Sequence, residues 1–186
     1  MSNKSALRRL SKRFPPPPEL KALIENLKEE PDGVAATIGA AIIESAVERV
    51  LIRHLKSQGT ETISLLFENR GPLSDFHSKI VVGAAFGLLP ESVVDDLQRI
   101  RVIRNTFAHA RMKLTFNTKE IVRELQGSNL LNLIRKSLQP VSGGANVFKN
   151  DNKAIFGLLI TLVFSILESR QQELGGDPMQ WDLTGR

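Results

Sequence analysis

Apolar residues recur at spacings of three and four through most of this chain, and strict alternation is nearly absent. That periodicity predicts helices and no sheet. The first helix covers Glu19–Glu30 and ends at Pro31. Asp32 is a candidate cap for the second, which runs to about Lys56 and is stopped by Gly59. A short helix follows over Thr60–Glu68, then a turn at Asn69-Arg70-Gly71-Pro72. Ser74 is placed to cap a helix from Asp75 to about Leu89, and Pro90 suits the first turn of the next, to Ala108. Asn117 with Glu120 reads as a capping box for a helix to Leu125. Leu130–Leu138 and Lys153–Leu174 complete the series, with Pro140–Asn152 as loop. The expected class is all-α: an irregular bundle of about seven helices with three long ones at its centre.

Two of the long helices carry polar groups where apolar ones are expected. Between Val34 and Ile52 the second helix is almost wholly apolar or small. A helix apolar on most sides belongs in the middle of its bundle. Thr37, Glu44 and Glu48 nevertheless share one narrow stripe on it, with Ser45 and Arg49 beside them. The stripe faces either a strip of solvent or a buried polar site.

In the helix Pro90–Ala108 the apolar face is built from Val93, Val94, Leu97, Ile100, Ile103 and Phe107. At about 100° per residue, Arg104 falls roughly 20° from the centre of that face. Asn105 and His109 are one turn apart on its flank. An arginine aimed at a core or an interface needs a carboxylate, carbonyls or an anion. Glu44 or Glu48 is the expected partner of Arg104, which would make the two helices neighbours with a shared polar layer.

Composition narrows the chemistry. At 186 residues one domain is expected, with 41% hydrophobic and 24% charged residues, as in ordinary globular proteins. Absence of cysteine excludes disulfides, thiolate metal sites and cysteine nucleophiles. The three histidines, His54, His77 and His109, have no zinc-motif spacing, and neither a metal nor a cofactor is expected. The net charge of +5 sits on residues 1–18, where Lys4, Arg8, Arg9, Lys12 and Arg13 meet no acid. Residues 19–186 are neutral. The arm is either a solubilising leader or a contact for DNA or RNA phosphates. Its four prolines, Pro15–Pro18, form a stiff spacer. The division is therefore a flexible arm 1–18, a helical domain 19–174 and a tail 175–186 that is frayed or held through Trp181.

No secretory leader is read. The longest apolar run, Ala154–Leu167, is broken by Gly157, Thr161 and Ser165, and is shorter than the about 20 residues a bilayer needs. It is read as a core helix, with no membrane partner and a cytoplasmic location. The thin surface offered by Gly83, Ala84, Ala85 and Gly87 suits close helix packing.

The stretch 68–116 resembles the mannitol operon repressor family. Its hallmark is a G-P-L-[SG]-[DS]-[FL] turn, a basic helix ending in G-L, and an arginine-rich helix closing on histidine. Here these are Gly71 through Phe76, Lys79 with Gly87-Leu88, and Arg101 through His109. The upstream helix with Glu44 also fits. The resemblance implies an all-helical transcriptional regulator without a helix-turn-helix, acting through protein or nucleic-acid contacts rather than catalysis. Arg104, Asn105 and His109 are also similar to the R-x(4–6)-H motif of HEPN helical domains, so the bundle is expected to be HEPN-like. That second likeness implies an alternative: a metal-independent ribonuclease, of toxin or defence type, with a composite site at a homodimer interface. His109 would be its general acid or base and Arg104 its phosphate clamp. A third reading makes the same residues a staple of the bundle, with His109 near the helix end, where a cation is favoured.

Overall fold

The computed structural model describes residues 15, 17–55, 59–68, 70–138 and 151–174. Eight helices and no strand occur among them: α1 Pro17–Asn26, α2 Asp32–His54, α3 Thr60–Phe67, α4 Phe76–Ala85, α5 Glu91–His109, α6 Lys119–Gln126, α7 Asn129–Leu138 and α8 Asn152–Glu173. The all-α expectation holds, and α2, α5 and α8 are the three long helices. Basic residues Lys4, Arg8, Arg9, Lys12 and Arg13, residues 139–150 (most of the expected loop Pro140–Asn152) and residues 175–186 of the expected tail lie outside the described residues.

α2 is the axis of the bundle. It packs most extensively on α8, then on α5 and α4. Small residues make the approach to α8 close: Ala36 and Ala40 are buried, and a Cβ on Gly39 would sit 2.9 Å from the Phe156 ring. Ile43, Val47 and Val50 of α2 meet a core that includes Leu97 and Ile100 of α5 and Leu159 and Val163 of α8. Phe116 sits between Phe107 and Phe156, with ring centroids 5.1 and 5.0 Å apart.

α8 is long and apolar enough to cross a bilayer by length and composition. One face of it, including Ile155, Phe156, Leu159, Ile160, Val163 and Leu167, is buried in the bundle. Its outward Thr161, Ser165 and Ser169 each donate to the carbonyl four residues back. Arg49 of α2 joins it at Glu168, 2.5 Å away. Burial pushes the Arg49 pKa down against the opposing pull of Glu168.

Three expected caps are placed differently. α4 is capped by Asp75, not Ser74, because the Asp75 carboxylate accepts the Ser78 N–H three residues on, at 3.0 Å. Asp32 is the first residue of α2 rather than its cap, and its carboxylate is used elsewhere. It accepts the Phe116 N–H at 2.9 Å and meets Lys153 at 3.0 Å, tying α2 to the α5–α6 loop and to the start of α8. The Asn117/Glu120 box does not form. Thr118 precedes α6 with its hydroxyl turned back to the Thr115 N–H, and Asn117 accepts from Asn152.

The turn before α4 explains the glycine of the G-P-L segment. Gly71 N–H donates to Glu68 O at 2.7 Å, and Leu73 N–H to Leu66 O at 2.9 Å. A Cβ at position 71 would lie 2.3 Å from the carbonyl oxygens of both Leu65 and Leu66. Only glycine permits that approach. Arg70 beside it takes a left-handed conformation, φ 72°.

Candidate functional site

The polar stripe of α2 meets α4 and α5 in a four-member charge cluster. Glu44 and Glu48 are one turn apart, which puts both carboxylates on one flank of α2. Between them lies Lys79 of α4, 5% exposed. Its ammonium donates to Glu44 Oε1 at 2.9 Å and pairs with Glu48 Oε2 at 2.7 Å. Arg104 of α5 approaches the other oxygen of Glu44, with Nη2 3.6 Å away. Two carboxylates and two cations balance, so the layer adds no net charge to the interior.

Burial works against the Lys79 ammonium. The charges and hydrogen bonds of Glu48 and Glu44 outweigh it, and its pKa lies above the ordinary lysine value. Lys79 therefore stays charged throughout the neutral range and needs both carboxylates.

Lys79 is the member that periodicity did not single out. Its signal was present: Phe76, Lys79, Ile80 and Gly83 share one helical stripe, and the other three are buried. A lysine on such a stripe needs a carboxylate. Arg104 is less committed. Its side chain is 30% exposed, and 3.6 Å is long for a hydrogen bond.

The flank of α5 beyond Arg104 turns progressively outward. Asn105 is half-buried and His109 exposed at the helix end. Arg101 donates its Nε to Gln98 Oε1 at 2.9 Å, and Gln98 Nε2 lies 3.4 Å from His77 Nδ1. Among the described residues no group of three or more His, Asp or Glu side chains is gathered to hold a metal.

Among the described residues one acid is fully buried, on α5 and away from this cluster. Asp96, 0% exposed, accepts the backbone N–H groups of Asn129 and Leu130 at 3.0 and 2.9 Å. It caps the first turn of α7 from another helix. Ser128 adds its hydroxyl to the Leu131 N–H at 3.2 Å. Asp96 occupies the apolar stripe of α5 between Val93 and Leu97, which was the available signal.

No family model matches the chain, and no curated protein matches it in sequence. A chain in the X-ray structure of the MtlR-HPr complex from Escherichia coli is similar to this one with a TM-score of 0.63 and 12% identity, over 80% of this chain and 97% of that chain. The likeness shows an MtlR-like fold.

Proposed function

We propose that this chain is a non-catalytic regulator of transcription that works by docking a protein partner. The observation that carries the reading is the likeness of fold over 97% of a chain from a structure in which MtlR is assembled with HPr. The charge cluster supports it. Lys79, Glu44 and Glu48 satisfy one another, and Arg104 leans on the same carboxylate, as suits a staple between three helices. A homodimer, contacts of the basic arm with DNA or RNA, and a cytoplasmic location belong to the same reading. Isothermal titration of the chain with HPr tests it. Saturable binding with a Kd of about micromolar order is expected, a free energy of about −8 kcal/mol. A folded chain that gives no binding heat overturns HPr docking.

One observation favours a second reading, a HEPN-like ribonuclease. The Arg104 guanidinium keeps donors free of its 3.6 Å contact, and His109, five residues on, is exposed. Together they suit proton transfer and charge stabilisation at a phosphodiester, with Asn105 between them. One histidine per chain makes the site composite, so two chains would have to face each other. Incubation of a mixed RNA pool without metal, with wild type and His109→Ala at matched folding, decides it. Cleavage lost in the variant establishes the ribonuclease, and no cleavage by wild type removes it.

A further inference from the structure

Residues 97–119 contain Arg99, Arg101, Arg104, Arg111, Lys113 and Lys119, with no aspartate or glutamate. Inside the fold this charge is answered unevenly. Arg99 meets Glu124 at 2.8 Å and Arg104 approaches Glu44 at 3.6 Å. Arg101 is held by the neutral Gln98. Among the described residues neither Arg111 nor Lys113 meets a carboxylate within ion-pair distance, and both are exposed in the turn that follows α5. Arg101 and His109 lie on one flank of α5, eight residues apart, and lead into that turn. Val102, 40% exposed, borders the flank, and Met112, 73% exposed, stands between Arg111 and Lys113.

We infer that this end of α5, with the turn 110–113, is the docking surface for an acidic protein segment that carries apolar side chains. Charge complementarity names the sign of the partner, since unanswered cations favour a surface of carboxylates. The apolar pair names its kind. Exposed methionine adapts to partner side chains and recurs at protein interfaces, as arginine does. Single-stranded nucleic acid would need stacking platforms. The aromatic residues of this stretch, Phe107 and Phe116, are packed against each other, and Phe116 is buried. The inference rests on the regulator reading only in making the partner a protein.

The test uses the full chain and a fluorescein-labelled helical peptide of about 16 residues, leucine at helical spacing and glutamate elsewhere. A single-stranded RNA of similar length is the comparison. The peptide is expected to bind wild type, and Arg111→Glu/Lys113→Glu to weaken it about tenfold or more. Met112→Ser should weaken it about threefold without changing its salt dependence. All three altered positions lie exposed in the turn, and helical circular dichroism checks folding. Unchanged affinity in the folded charge-reversed chain overturns the surface, as does refusal of the peptide by wild type. RNA bound more tightly than peptide reassigns the surface to nucleic acid and also overturns the inference. HPr bound while the peptide is refused overturns the surface alone. Peptide bound while HPr is refused overturns only HPr docking.

Discussion

Replacing Lys79 with methionine removes the cation that two carboxylates share. Methionine keeps most of the volume, so the packing change is small, under about 1.5 kcal/mol. The electrostatic loss is larger. Lys79 lies 2.9 Å from Glu44 and 2.7 Å from Glu48, and its side chain is 5% exposed. Removing one partner of a fully buried pair costs about 3–5 kcal/mol. Here Glu44 and Glu48 are 24% and 23% exposed, so each retains some hydration, and Arg104 remains near Glu44. The expected cost is therefore about 2–4 kcal/mol at neutral pH. For a domain of this size that lowers Tm by about 5–15 °C.

The pH dependence carries a sign. Because the folded pKa of Lys79 is raised, its contribution is fully present below the unfolded lysine value and is lost as pH rises through the folded one. Urea unfolding followed by helical circular dichroism at about pH 7 and about pH 11 reads that loss. Changing Glu44 and Glu48 to glutamine alongside Lys79→Met should recover most of the loss at neutral pH. A gap under about 0.5 kcal/mol at neutral pH would refute the view that this cluster holds the three helices. So would a gap that stays constant as pH rises past the ordinary lysine value.

Three further substitutions test the fold around the site. Asp96→Ala strips the Asn129 and Leu130 N–H groups of their acceptor and should cost about 2–3 kcal/mol, with faster amide exchange confined first to α7. Gly71→Ala forces a Cβ onto two carbonyl oxygens, and about 2 kcal/mol or more of lost stability is expected in chemical unfolding; equal stability would mean the turn relaxes freely. Asp75→Ala removes the cap of α4 at a cost of about 1 kcal/mol at neutral pH. Hydrogen bonds from Ser78, through side chain and backbone, hold the Asp75 pKa below the usual carboxylate value, so this contribution fades as pH falls through that lowered value. A difference from wild type that persists undiminished in strong acid would contradict the assignment.

Periodicity by itself determined the class, the helical segments to within a few residues, and the central place of α2, because each rests on side chains three and four apart on one helix. It also marked Glu44 and Glu48 as polar groups on an otherwise apolar helix. The partners needed the tertiary structure. Lys79 is 35 residues from Glu44, Asp96 is 34 from the amide of Leu130, and Asp32 is 84 from that of Phe116. Such pairs form only when helix packing sets the register of one element against another, and no local spacing encodes that register. Polar residues on apolar stripes, Lys79 on α4 and Asp96 on α5, showed that a buried partner was required. Which partner it was depended on how α2, α4, α5 and α7 pack.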